Sequence, residues 1–189
     1  MRIKAELMDE EAVRRSLRRM AHEIDERESQ AEGYVLLGIR RRGVPLARML
    51  AEALEQISQK PVALGHLDIS FYRDDLTHSA AQPQVSETRM PKTGTRNQLV
   101  ILVDDVIYTG RTARAAMEAV ISQGRPAAIR LAVLIDRGHR EMPIRPDFVG
   151  KNVPTSKRET IRVEVPEFED RLRVLLVERP EGAADEEVQ

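Results

Sequence analysis

Apolar positions follow three patterns along this chain, and each predicts a different element. Tyr34-Val35-Leu36-Leu37-Gly38-Ile39, Leu99-Val100-Ile101-Leu102-Val103 and Ile129-Arg130-Leu131-Ala132-Val133-Leu134-Ile135 are nearly unbroken apolar runs. Runs without alternation suit strands buried on both faces, as in a parallel sheet. A second pattern has the helical period. Val13, Leu17, Met20, Ala21 and Ile24 recur every three or four residues, behind Asp9 as N-cap and Glu10-Glu11 in the first turn. Residues 46–54 form another helix, with Pro45 suited to its first turn. A third helix runs from Ala113 to about Gln123, where Gly124 supplies a left-handed stop and Pro126 prevents continuation. The third pattern is alternation. Residues 62–64 and 66–72 predict a strand or bent strand pair, because Leu67, Ile69 and Phe71 alternate with Asp68, Ser70 and Tyr72. Ile161, Val163 and Val165 alternate as a further strand, and residues 174–177 make a last one. Strand, helix, strand over 99–135 predicts a right-handed parallel crossover.

Two stretches lack periodicity. Residues 76–98 are polar and carry Pro83, Pro91 and Gly94; a connection this long predicts a flexible arm that closes over a site and excludes water, or else a disordered surface excursion. Residues 136–158 contain Pro143, Pro146 and Pro154 with Gly138 and Gly150, which predicts a compact, irregular excursion. No internal repeat or linker divides the chain. The pattern predicts a single α/β domain over residues 1–178 and an acidic, frayed tail over 179–189.

Composition narrows the class. A chain of 189 residues with 41% hydrophobic and 32% charged content is long enough for one soluble domain with its own core. Aromatics make up 3% and Trp is absent, so aliphatic side chains must fill that core. Without Cys there is no disulfide and no thiolate metal site. Met1-Arg2-Ile3-Lys4-Ala5-Glu6 lacks an apolar signal core, and no run approaches membrane-spanning length, so a cytoplasmic protein without a membrane partner is expected. The net charge of −1 alone argues against nucleic acid, but the charge is unevenly placed. Residues 137–158 hold six Arg or Lys against two Asp or Glu, a balance of +4, whereas residues 159–189 hold four Arg against ten acids, a balance of −6.

Chemistry concentrates at residues 104–112. Asp104 and Asp105 lie at the carboxyl end of a predicted buried strand, where open α/β sheets bind ligands. Thr109-Gly110-Arg111-Thr112 follows as a turn into a helix. Gly110 lets the backbone approach a ligand, Thr109 and Thr112 offer hydroxyls, and the free N–H groups of the helix start form an anion site. The combination suits a sugar phosphate, with phosphate in the turn and ribose hydroxyls or a metal at the carboxylates. The simpler alternative is that the acids only end a strand and cap a turn. The stretch is neither a Walker A loop nor a Rossmann fingerprint. Arg40-Arg41-Arg42-Gly43 ends another predicted strand, and three adjacent cations there suit a pyrophosphate, or else an ordinary basic loop. On the first helix Arg14, Arg15, Arg18, Arg19 and His22 lie off the buried stripe, and a solvated face accounts for them on that segment alone.

Residues 99–112 resemble the PRPP-binding motif of type I phosphoribosyltransferases. Three further stretches resemble one family within that group. They are 136–157, which runs Asp136-Arg137-Gly138-His139-Arg140-Glu141-Met142-Pro143-Ile144-Arg145-Pro146 and on to Lys157, then 68–75 and 14–23. The family is PyrR, bacterial RNA-binding attenuation regulators of pyrimidine operons that also carry uracil phosphoribosyltransferase activity. The resemblance covers nearly all of the chain up to about Val177. It implies a type I phosphoribosyltransferase fold, a central mostly parallel sheet flanked by helices with a small hood over the base site. It implies the conversion of uracil and PRPP to UMP and pyrophosphate with magnesium. It also implies binding of pyrimidine-operon leader mRNA when UMP or UTP is bound, and a homodimer or higher homo-oligomer.

Carried onto this chain, the resemblance assigns Asp104, Asp105 and Arg137 to catalysis, with Mg2+ near Asp104 and Asp105 through PRPP and water. It assigns PRPP and nucleotide to Arg40, Arg41, Arg42, Gly43, Val106, Ile107, Tyr108, Thr109, Gly110, Arg111, Thr112 and Asp136, the uracil end lying near Ile107, Asp136 and Arg137. RNA contact falls to Arg18, Arg19, His22, Arg27, His139, Arg140, Arg145 and Lys151. Arg18 departs from the family pattern, which carries a Thr there. Two function classes follow, an enzyme with merely solvated basic segments and an RNA regulator that senses nucleotides; both in one protein is the expectation. The alternatives are a purine-type (hypoxanthine or xanthine) phosphoribosyltransferase without RNA regulation, and a binding-only protein with a vestigial site.

Overall fold

The computed structural model describes residues 2–70, 72 and 88–178. Five parallel strands form the central sheet: β2 (Tyr34–Ile39), β3 (Val62–Leu67), β4 (Leu99–Ile107), β5 (Ala128–Asp136) and β6 (Phe148–Asn152), in the order β3-β2-β4-β5-β6. Helices α1 (Glu10–Arg27), α2 (Gly43–Ser58) and α3 (Arg111–Gln123) flank it. A second sheet of three antiparallel strands, in the order β1-β8-β7, is built from β1 (Arg2–Met8), β7 (Glu159–Glu164) and β8 (Arg173–Glu178). The four-residue helix α4 (Pro166–Glu169) links β7 to β8. This second sheet is the small hood, and the architecture is the type I phosphoribosyltransferase fold.

The unbroken apolar runs bury two faces because successive side chains of a strand point to opposite sides. Leu36, Ile101, Val103, Ala132 and Leu134 pack with α1, α2 and the hood residues Ile161, Val163 and Val174. Their neighbours Val35, Leu37, Val100, Leu102 and Val133 pack with Ala113, Ala116 and Val120 of α3 on the other face. Helix α1 buries Val13, Leu17, Met20, Ala21 and Ile24, the five residues of the helical stripe. Its Asp9 cap accepts a 2.8 Å hydrogen bond from the Ala12 N–H.

Several elements differ from expectation. The strand predicted over 66–72 stops at Leu67, because Asp68 turns the chain by accepting a 2.9 Å bond from the Ser70 N–H. Strand β4 continues through the two acids to Ile107, with Asp104 opposite Val133. Helix α2 starts at Gly43 and runs to Ser58, longer than the apolar stripe alone suggests. Helix α3 ends at Gln123 as expected, but Gly124 (φ 157°, ψ −178°) is nearly extended, not a left-handed helical stop. The 136–158 excursion contains strand β6, which adds to the sheet edge beside β5. Strand β1 was absent from the pattern, since it is exposed through Glu6 and is held by pairing with β8. The arm over 76–98 lies outside the described residues as far as 87, as does the 179–189 tail.

Candidate active site

Because β2, β4 and β5 run parallel, their carboxyl ends deliver Arg40–Arg42, Asp104–Ile107 and Asp136-Arg137 to one edge of the sheet. Gly43 brings the first two groups together. A Cβ on Gly43 would sit 2.4 Å from the Val103 carbonyl oxygen and 3.3 Å from the Asp104 Cα, so only glycine lets the start of α2 lie against β4. The Arg loop is thereby seated beside the acid pair, and its Arg40–Arg41 peptide bond is cis.

A cleft of about 270 Å³ opens at this edge. Arg40, Arg41, Arg42, Asp104, Asp105, Val106, Tyr108, Thr112 and Arg137 line it from the core, and Thr160, Ile161, Arg162 and Val163 line it from the hood strand β7. Asp104 is buried, and its Oδ1 accepts a 2.9 Å bond from the Asp105 N–H. Burial pushes the Asp105 carboxyl above the usual carboxylate range, against a hydrogen bond shared with Asp104 and the positive charge of Arg42, which pull it down. A polar group or cation brought to this pair would relieve the same desolvation.

The turn after β4 is held from behind. The Thr109 carbonyl accepts from the Glu141 and Met142 N–H groups at 2.9 and 3.0 Å. Gly110 takes φ 94° as the residue before α3, a left-handed conformation that a side chain would strain. The first-turn N–H groups of α3 then face the anion-binding position that its dipole favours. A smaller cavity beneath the turn is lined by Asp104, Val106, Ile107, Tyr108, Gly110 and Thr112 with apolar residues of α3 and β5.

Arg137 is buried and fully engaged. Its guanidinium donates to Thr155 Oγ1 (3.2 Å), Thr160 Oγ1 (3.3 Å) and the Glu159 carbonyl (2.8 Å), and stacks 3.9 Å above the Tyr108 ring. It fastens the end of β5 to the hood. Asp136 does not line the cleft; its carboxylate accepts from the Gly138 N–H (2.9 Å) and Arg140 (2.6 Å). Arg111 pairs with Glu141 at 2.8 Å.

The outer basic residues fall into two groups. Arg19 donates to the Val149 and Gly150 carbonyls (2.8 and 2.6 Å), Arg27 to the Asp147 carbonyl (3.2 Å) and Lys151 to the Leu7 carbonyl (3.1 Å). Arg140 donates to the carbonyls of Ile144 (2.8 Å), Tyr108 (2.9 Å) and Gly138 (3.2 Å) besides Asp136. His139 is exposed and donates from Nε2 to the Thr155 carbonyl at 2.6 Å. Arg18, His22 and Arg145 are exposed. Contacts from Arg19 and Arg27 seat α1 on β6 and the residue before it, whereas Ile144, whose carbonyl accepts from Arg140, packs with α3 on the other face of the sheet.

Sequence reasoning missed the hood's contribution. Thr160, Arg162 and Val163 reach the cleft because β7 folds over it, and only the alternation of Ile161, Val163 and Val165 hinted at that strand. Nothing local marked Thr155, Glu159 or Glu169 as partners of the cleft arginines.

Comparison with known proteins gives the fold and the family. The phosphoribosyl transferase domain model matches residues 5–167. A curated relative from Clostridium novyi, "Bifunctional protein PyrR", is 54% identical over 179 residues, covering 95% of this chain and 100% of the relative. Its counterpart from Thermus thermophilus is 56% identical over 183 residues, covering 97% of this chain and 100% of the relative. Among solved structures, a hypoxanthine phosphoribosyltransferase from Staphylococcus aureus superposes with a TM-score of 0.68 at 18% identity, over 95% of this chain and 94% of that one. The Trypanosoma cruzi hypoxanthine enzyme in complex with the product IMP gives 0.66 at 21% identity, over 96% and 97%. The two purine enzymes share the fold alone. With more than half of the residues identical over 95% and 97% of the chain in these two relatives and the domain model matching residues 5–167, the chain belongs to the PyrR family.

Proposed function

We infer that this protein is a uracil phosphoribosyltransferase that also regulates pyrimidine operons by binding leader mRNA under the control of UMP or UTP. The observation that carries the catalytic half is one cleft in which a triple-Arg loop faces two adjacent carboxylates beside an anion-binding turn. PRPP presents a pyrophosphate, two ribose hydroxyls and a 5′-phosphate. These match the Arg40–Arg42 loop, the Asp104-Asp105 pair and the Thr109–Thr112 turn. Uracil then lies toward Ile107, Asp136 and Arg137.

Displacing pyrophosphate builds positive charge on the ribose ring and negative charge on the leaving group. The carboxylates orient the hydroxyls and favour the first; the Arg loop favours the second. No strong general base is needed, because the ionised or polarised uracil nitrogen bonds to the ribose carbon as the bond to pyrophosphate breaks, and its N–H proton passes to solvent or to the departing pyrophosphate. Among the described residues no group of three or more His, Cys, Asp or Glu could hold a metal on its own. That donor set fits a magnesium ion that arrives on PRPP and takes at most one or two ligands from Asp104 and Asp105. When bound, the ion adds charge neutralisation at the pyrophosphate.

The regulatory half rests on family membership and on the exposed cations of α1 and of the 137–158 segment. Aromatic residues are scarce in those two segments, so recognition depends on phosphate contacts and loop shape. We take residues 1–178 as one unit, working in the cytoplasm as a homodimer or higher homo-oligomer. No helix among the described residues is long and apolar enough to cross a membrane. The test is binding of a labelled pyrimidine-leader stem-loop with and without UMP at two salt concentrations, beside PRPP-dependent UMP synthesis. Tight binding that UMP enhances and salt weakens is the expected result. Binding indifferent to UMP, with UMP synthesis intact, would leave an enzyme alone, and turnover of hypoxanthine instead of uracil would make it a purine-type one.

A further inference from the structure

Helix α4 is only four residues long, yet three of its residues in a row each hold a cation of the segment that carries the Arg loop. Glu167 pairs with Arg48, Phe168 lies under Arg41 with 4.9 Å from guanidinium carbon to ring centroid, and Glu169 pairs with Arg42. These contacts differ in depth. Arg48 and Glu167 are largely exposed, whereas the Arg42 and Glu169 side chains retain 16% and 14% exposure. Glu169 is itself anchored, since its second oxygen accepts a 3.0 Å bond from the Val165 N–H at the start of α4. Burial pushes the Glu169 carboxyl up, but that N–H and the Arg42 guanidinium outweigh it and hold the group below the usual range.

Arg42 therefore pairs with the Glu169 carboxylate while lining the same cleft as Asp104 and Asp105, where its positive charge acts on Asp105. The other two arginines of the loop are exposed at the cleft. Three adjacent cations beside a pyrophosphate need not share one task. A guanidinium already paired with a half-buried carboxylate is a poorer direct anion ligand than a free one, but it is well placed to offset a neighbouring acid.

We propose that Glu169 is a positioning residue for the phosphoribosyl transfer: its ion pair holds Arg42 beside Asp105, so that Arg42 offsets the acid pair while Arg40 and Arg41 are presented to the pyrophosphate. The proposal rests on the assignment of the cleft to PRPP. Without the pair, Arg42 leaves Asp105, and the two carboxylates repel the incoming pyrophosphate more strongly. Uracil carries no such charge and is unaffected.

Steady-state kinetics of Glu169→Gln with PRPP and uracil varied separately test this. The expected result is a rise in KM for PRPP of about tenfold, the size of one lost charge-assisted contact, with KM for uracil within about twofold of the parent. Glu169→Asp, which keeps the charge, should recover most of the loss, and Glu167→Gln should leave both constants near the parent values. Equal constants for Glu169→Gln and the parent would overturn the proposal. So would a parallel rise in both KM values with a lowered Tm, which marks a structural role only. A parent protein that makes no UMP from PRPP and uracil would instead overturn the cleft assignment itself, so the two failures are distinguishable.

Discussion

The cleft at the sheet edge and the outer basic segments are both rich in arginine, but their arginines are held in different ways. In the cleft, Arg40 and Arg41 are exposed at the opening, and Arg42 and Arg137 are fixed by the hood. In the outer segments, Arg19, Arg27, Arg140 and Lys151 donate to backbone carbonyls of β1, β6 and the loops around them. Arg18, His22 and Arg145 remain exposed. A cation at a ligand site and a cation that stitches backbone together look alike in a sequence. They differ in what happens when they are removed, and substitutions at the two kinds of position should separate.

The largest effect is expected at the acid pair. Asp104→Asn keeps the size and the hydrogen bond to the Asp105 N–H. Turnover should fall by about a hundredfold or more, the usual size of a lost electrostatic contact to a transition state, while the denaturation midpoint holds. Unchanged turnover in a UMP-synthesis assay would remove Asp104 from the mechanism.

Arg140 should give the next largest effect, and on stability instead of chemistry. Its guanidinium serves three carbonyls and Asp136, so Arg140→Ala leaves that carboxylate and the Tyr108 carbonyl without this donor. Loss of a partly buried charged network costs about 2–4 kcal/mol, which urea unfolding would measure. If RNA binding falls while the urea midpoint is unchanged, Arg140 belongs with the ligand-contacting cations and the contrast between the regions breaks.

Arg145→Gln sharpens the same contrast from the other side. Arg145 is exposed and its side chain donates no hydrogen bond among the described residues, so stability and UMP synthesis should match the parent. Leader-RNA affinity should fall by about five- to tenfold, and the salt dependence should lose about one unit of slope, as when one phosphate contact disappears. Loss of UMP synthesis in parallel would mean that the two regions are not separate.

These expectations explain which parts were legible in the chain. The stripe of α1, the strands β2, β4 and β5 and the helix α3 are written in residues close together, because each buries a contiguous set of apolar side chains. The Asp104-Asp105 pair at a strand end and the Thr109–Thr112 turn into a helix were legible for the same reason, since one strand, turn and helix carry them. Strand β1 was not, because it is exposed through Glu6 and depends on a partner almost the whole chain away. Strand β6 was masked by prolines on both sides and by its short, half-exposed edge position. The hydrogen bonds of Arg19 and Arg27 span more than a hundred residues, so no local signal separates them from the exposed Arg18.

The smallest effect is expected where the two regions meet. Glu159 opens β7, gives its carbonyl to Arg137 of the cleft and pairs its carboxylate with Lys4 of β1 at 2.7 Å. The Lys4 ammonium, together with the Ser156 N–H that donates at 2.8 Å, pulls the Glu159 carboxyl down to about 2. A carboxylate with a depressed folded-state value stabilises the fold fully above its unfolded value, and that contribution fades as pH falls toward about 2. The hood edge should therefore loosen in acid, between the ordinary carboxylate range and about pH 2. In Lys4→Met the carboxyl should titrate closer to its ordinary value, and the urea midpoint should depend less on pH across that window. Both groups are near solvent, so salt screens the pair and the shift in midpoint is small. NMR titration of the Glu159 carboxyl carbon reads the change directly. If that resonance titrates identically in Lys4→Met and the parent, the ion pair does not hold the hood edge, and β7 keeps its Arg137 contacts at Glu159 and Thr160 without it.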